Sequence, residues 1–173
     1  TANKLSITIR FQARASNYGA DSPMTKLATE LKVLRGVELF GDIREDVLTK
    51  LAAETHLVHL PRGHLVRDTR RDTVSVDGLY ILKSGIAKVT RSSQSWEAEA
   101  VLAILHPGQC FGEIGLIDGL PPSANVTTME PMECYFLPRD AFTAALQENP
   151  EIALGMLPAL ATMVRGADQW IAE

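Results

Sequence analysis

The residues whose types and spacing could do chemistry lie in two runs, Phe111-Gly112-Glu113-Ile114-Gly115-Leu116-Ile117 and Pro121-Pro122-Ser123-Ala124-Asn125-Val126. Gly112 and Gly115 let the backbone approach a bound group closely and take unusual dihedrals. The Glu113–Asp118 stretch has the length of one short helical turn, whose N–H groups can be aimed at an anion. Glu113 then stands as an acceptor for a sugar hydroxyl. The Ser123 hydroxyl and the Ala124 N–H can close the far side. A phosphodiester anion fits such a cradle, but its usual cation is missing. An arginine offers a planar fork matched to phosphate oxygens; Pro122 offers neither charge nor N–H. The plainer alternative is a glycine-rich turn between two buried strands, with Glu113 on the surface.

The elements that must position these residues follow from periodicity. Thr25–Arg35 reads as a helix with Leu27, Leu31 and Leu34 on one face, ended by Gly36. Asp42 reads as the cap of a second helix, with Glu45 three residues on as in a capping box and Val47, Leu48 and Leu51 buried. From His56 the period becomes two. Strands are expected at His56–Leu60, His64–Asp68, Gly78–Lys83, Ile86–Arg91, Ala98–Leu105, Ala124–Met129 and Glu133–Leu137. Turns at Pro61-Arg62-Gly63, Ser84-Gly85, Ser92-Ser93 and Pro107-Gly108 separate them. Many short strands so punctuated argue for a sandwich or barrel. Asn149-Pro150-Glu151 marks a further helix start, with Asn at the cap and Pro at the first position. Beyond it Ala153, Leu157, Leu160, Val164, Ala167 and Ile171 step by four and three, as in a coiled-coil seam; the alternative is a helix packed on its own barrel. Pro158 inside that helix predicts a kink or break near Leu154–Leu157.

The two runs resemble the phosphate-binding cassette of cyclic-nucleotide-binding domains, as found in the catabolite activator and FNR regulators, cAMP-dependent kinase regulatory subunits and nucleotide-gated channels. The family pattern is Phe-Gly-Glu, an apolar residue, a small residue, Leu, then a loop and Pro-Arg-Ser/Ala-Ala. Pro122 occupies the place of the family's arginine. Pro107-Gly108-Gln109, Leu79–Gly85, Pro61-Arg62-Gly63 and Leu137–Phe142 resemble other family turns and strands, in family order from about Leu34 to Ile171. The resemblance implies an α+β, mostly β domain: a jelly-roll barrel, or double-stranded β-helix, with N-terminal helices and a C-terminal helix. It implies ligand contacts from Phe111, Gly112, Glu113, Ile114, Gly115, Ser123 and Ala124. It also implies that residues of the terminal helix would approach the base, with Met163, Arg165 and Gly166 in range along the sequence and no choice made among them. The ligand would be cAMP ahead of cGMP, bound weakly for want of the arginine. The C-terminal helix would pair with its twin in a homodimer and relay the signal. The loop Arg67–Asp77, with Arg67, Arg70 and Arg71, reads as a solvated surface or as the source of a compensating cation. Cys110 beside the cassette reads as an inert thiol.

Composition narrows the alternatives. The chain has 173 residues, 46% of them hydrophobic and 22% charged, which fits one folded domain rather than a disordered chain. Its expected division is an arm or leader at 1–23, the barrel with flanking helices at 24–148 and the terminal helix at 149–173. In the arm, Leu5, Ile7, Ile9 and Phe11 alternate as an edge strand would, and a loose transit-peptide character is the other reading. A net charge of −4 speaks against DNA binding by this chain alone, as does the lack of a recognition helix after the terminal one. Two cysteines without metal spacing point to a reducing, cytoplasmic setting, and no apolar run reaches a membrane span. His56, His59, His64 and His106 match no defensible metal spacing, and no catalytic constellation, metal or cofactor is expected. The leading expectation is a cyclic-nucleotide-sensing regulatory domain. The alternative is a degenerate module that binds no nucleotide and acts through dimerisation, a partner or another small anion.

Overall fold

The computed structural model describes residues 22–69, 78–92 and 99–171, with side chains described as far as Arg165. The arm up to residue 21, the loop arginines Arg70 and Arg71, and the side chains of Gly166, Ala167 and Ile171 therefore lie outside the described residues. Helix α1 spans Pro23–Arg35 and α2 spans Glu45–Ala53, joined through a 3-10 turn at Glu38–Phe40. Eight strands follow: β1 His56–Leu60, β2 Leu65–Arg67, β3 Gly78–Ser84, β4 Ala87–Ser92, β5 Glu99–Leu105, β6 Cys110–Phe111, β7 Asn125–Thr128 and β8 Met132–Pro138. Helix α3, Glu113–Asp118, sits between β6 and β7; α4, Arg139–Glu148, and α5, Glu151–Ile171, close the chain.

The strands form two antiparallel four-stranded sheets, ordered β1-β8-β3-β6 and β2-β7-β4-β5. This is the jelly-roll arrangement of an α+β, mostly β domain. Sequence reading placed seven of these strands within a residue or two. It missed β6, which at two residues is too short to show a period.

The core has two compartments divided by the first sheet. Tyr80, Leu82, Phe111, Met132, Cys134 and Phe136 point between the sheets, where they meet Ala87 and Val126. Leu79, Ile81 and Leu137 point the other way, into a helical layer with Leu34, Phe40, Leu48, Phe142, Ile152 and Met156. Strand β3 is therefore buried on both faces, which explains its unbroken apolar run Leu79–Leu82.

Three local expectations are corrected. Helix α1 starts at Pro23, earlier than Thr25, because proline suits the first helical position. Asp42 does not cap α2. The cap position is Arg44, without a side-chain bond to the backbone; its guanidinium instead joins Asp46 at 2.8 Å and Glu151 at 2.9 Å. Asn149 does not spend its side chain on α5 either. Its amide donates back to the Ala145 carbonyl of α4 at 3.1 Å, and its oxygen accepts from Lys50 at 3.3 Å.

Helix α5 also runs unbroken across Pro158. Proline deprives the Leu154 carbonyl of its helical partner, but Leu154 is 69% exposed, so water can replace it. Ile152, Met156 and Ala159 seat the helix on the helical layer. Gly155 lies close enough that an added Cβ would sit 3.2 Å from the Asp42 carbonyl. The seam foreseen from sequence faces elsewhere: Ala153, Leu157 and Val164 are exposed and Leu160 is half-buried. Among the described residues no helix is long and apolar enough to cross a membrane.

Candidate functional site

Strand β6 starts the site. Phe111 pairs with Tyr80 of β3, and the two rings stack with centroids 4.8 Å apart. Tyr80 also packs against Phe136 at 4.5 Å. This aromatic stack fixes the chain as it enters Gly112.

Gly112 has φ +92°, in the left-handed region, and an added Cβ would sit 2.3 Å from the Gly78 carbonyl and 2.4 Å from Nη2 of Arg67. Only glycine meets both conditions. Helix α3 follows as the short turn foreseen from sequence. The Leu116 N–H donates to the Gly112 carbonyl at 2.9 Å, and the preceding N–H groups have no partner inside the helix. Leu116 is buried in the helical-layer core and anchors α3. Arg139, first residue of α4, donates to the Gly115 carbonyl at 3.1 Å. Gly119, at φ +67°, ends α3 against the Arg139 guanidinium. The Leu120 N–H then donates to Asp118 at 2.9 Å.

The loop that follows is held from the second sheet. Arg91 of β4 donates to the Ser123 carbonyl at 3.3 Å. Asn125 at the start of β7 accepts from the Thr69 N–H at 2.9 Å and from its hydroxyl at 3.0 Å.

These elements enclose a cavity of about 380 Å³. All seven residues singled out from the sequence line it: Phe111, Gly112, Glu113, Ile114, Gly115, Ser123 and Ala124. Pro122 lines it too, with no charge to contribute. Sequence reading did not find the apolar wall formed by Val89, Leu105, Leu120 and Val126. Val89, Leu105 and Val126 lie in strands expected from the sequence and Leu120 in the loop after α3, but which faces meet the cassette depends on the pairing of the two sheets. Arg67 is the reverse case. It fell both in the expected strand His64–Asp68 and among the three arginines of the stretch Arg67–Asp77, and the structure places it in β2, 8% exposed, with its guanidinium in the cavity wall. Neither Met163 nor Arg165 appears in that wall.

Cys110 also lines the cavity. Burial, and after it the nearby charge of Glu113, pushes its thiol up to about 11. Burial alone pushes Cys134 up to about 12. Both are protonated near neutral pH and are poor nucleophiles, in line with the inert reading of Cys110. Among the described residues no group of three or more His, Cys, Asp or Glu side chains could hold a metal. His59 instead approaches Glu133 at 3.1 Å, beside Lys83.

Residues 53–149 match the family model of the cyclic nucleotide-binding domain. Among curated proteins, the chain is 28% identical over 142 residues to the CRP-like cAMP-activated global transcriptional regulator of Mycobacterium tuberculosis, covering 82% of this chain and 62% of that one. It thus spans less than two thirds of that relative. Among solved structures, the N-terminal domain of a transcriptional regulator from Streptomyces coelicolor superposes with a TM-score of 0.65 at 28% identity, over 79% of this chain and 95% of that one. The regulatory domain of Toxoplasma gondii PKA with cAMP shares the fold, with a TM-score of 0.63 at 23% identity over 72% and 46% of the two chains.

Proposed function

The chain belongs to the cyclic nucleotide-binding domain family, and from that membership we propose that it is a regulatory sensor of a cyclic nucleotide, cAMP ahead of cGMP. The observation that carries this reading is the convergence of all seven cassette residues on one cavity. Glu113 accepts hydrogen bonds from the ribose hydroxyl. The backbone at Gly112, Ile114, Gly115 and Ala124, with the Ser123 hydroxyl, holds the phosphate. Val89, Leu105 and Leu120 give the base an apolar wall. The preference for cAMP rests on the name of the mycobacterial relative.

The domain has no catalytic step of its own. It works in the cytoplasm as a homodimer paired along α5, and at a net charge of −4 it does not bind duplex DNA by itself. The signal leaves through α3. Its outer side faces the ligand, while Leu116 and Arg139 tie it to the helical layer that carries α4 and α5. A ligand biases that layer only to the extent that it binds one arrangement better than the other.

Pro122 favours a second reading, in which the same barrel binds no cyclic nucleotide and acts through dimerisation, a partner or another small anion. Calorimetric titration with cAMP and cGMP separates the two. The sensor reading expects saturable cAMP binding in the micromolar range or weaker, with cGMP weaker still. No heat and no shift in melting temperature at millimolar ligand would leave the degenerate module.

A further inference from the structure

The cavity wall has an unusual charge balance for an anion site. Among the described residues that line it are two carboxylates, Glu113 and Asp118, and one basic side chain, Arg67. A phosphodiester placed there is repelled by both acids, so its binding depends on a cation near enough to outweigh them.

Arg67 has the position for this. It comes from β2 in the second sheet, not from the cassette, yet its guanidinium lies against the Gly112 backbone at the point where the cassette begins. Contacts on two sides help to hold it there. Nη2 donates to the Gly78 carbonyl at 2.6 Å, and Cζ stands 5.7 Å from the centre of the Tyr80 ring, within cation–π range. Tyr80 is the residue that stacks on Phe111, so the same aromatic pair positions both the cassette and the guanidinium. At 8% exposure the charge is little screened by water, which strengthens its pull on an anion in the cavity. A guanidinium has five donors and can hold a carbonyl and phosphate oxygens together. Gly112 has a second role in this arrangement, since any side chain there would collide with Nη2.

We propose that Arg67 supplies the positive charge for the bound phosphate, from β2, in place of a cassette residue at position 122. This rests on the cyclic-nucleotide reading above.

The test is a calorimetric titration of cAMP into the intact chain as wild type, Arg67→Met, Pro122→Arg and the double variant. Arg67→Met is expected to weaken binding about tenfold or more, the usual scale for a lost charge-assisted hydrogen bond. Pro122→Arg should restore most of that loss in the Arg67→Met background and add much less to the wild type, because the two cations answer the same charge. The proposal is overturned if Arg67→Met binds as tightly as wild type. It is equally overturned if binding is lost and Pro122→Arg does not restore it, since Arg67 would then be a structural strut. A wild type that binds neither cyclic nucleotide removes the sensor reading and this proposal together, an outcome distinct from the other two. If Arg67→Met does not fold, Arg67→Gln removes the charge but keeps a polar arm that can donate to the Gly78 carbonyl. It is expected to bind cAMP about tenfold more weakly or worse, with the same rescue; unchanged affinity would overturn the proposal.

Discussion

Gly112 is the residue on which the site most depends. Its φ of +92° strains any residue with a side chain, and its neighbours leave no room for a methyl group. Gly112→Ala should cost about 1–3 kcal/mol from the backbone alone, with more from collision with the Gly78 carbonyl. Urea denaturation would measure this, and an unchanged midpoint would contradict the packing described. The cassette was legible in the sequence because its chemistry is local: two glycines, an acid and a hydroxyl within a few residues. Arg67 was legible only as one of three arginines, with Arg70 and Arg71, that could bring a compensating cation. It is remote from the cassette along the chain, and nothing in Leu65-Val66-Arg67 says that its head is buried. Its placement follows from β2 pairing with β7 and from the gap that Gly112 leaves.

At the scale of the element, the strands and helices were read well and the caps poorly. Asp42 and Asn149 are good cap types, but cap chemistry competes with other partners. Arg44 takes the position before α2 and reaches Glu151, while Asn149 turns back to α4. Helix α1 holds a buried carboxylate, Glu30, 3% exposed, with Lys26 3.7 Å away. Burial raises its pKa above the ordinary carboxylate value, and the charges of Lys26 and His56 offset this only in part. A raised folded-state pKa means that the stability Glu30 gives is fully present below its unfolded value. That stability is lost as pH rises through the folded one. Glu30→Gln should therefore leave the melting temperature nearly unchanged near pH 4 and raise it relative to wild type near neutrality; a gain that shrinks with rising pH would contradict the assignment. On α5, Leu157 and Val164 are 56% and 63% exposed while Ile152 and Met156 are buried. This leaves an apolar face for the twin helix of the proposed dimer. Leu157→Asp should shift the chain from dimer to monomer in light scattering with little change in unfolding midpoint. A wild type that is monomeric, or a variant that stays dimeric, would rule out pairing through this face.

For the molecule as a whole, the jelly roll puts the cassette cavity and the helical layer on opposite sides of one sheet. The alternation of β3 sends Tyr80 toward the cassette and Leu79 and Ile81 toward the helical layer. Helix α3 bridges the two, lining the cavity while Leu116 sits among the helices. The strand count and turn spacing made the barrel legible from sequence. The division of the core into two compartments was not, because it depends on which faces of the sheets meet. The central claim is that this cavity, and no other part of the chain, takes up a cyclic nucleotide. An amide NMR titration of the isotope-labelled chain with cAMP tests it most directly. The account expects saturable shifts centred on Gly112, Glu113, Ile114, Gly115 and Ala124, spreading through Leu116 to the start of α4. Unmoved resonances at millimolar cAMP, or shifts confined to residues away from the cassette, would contradict it.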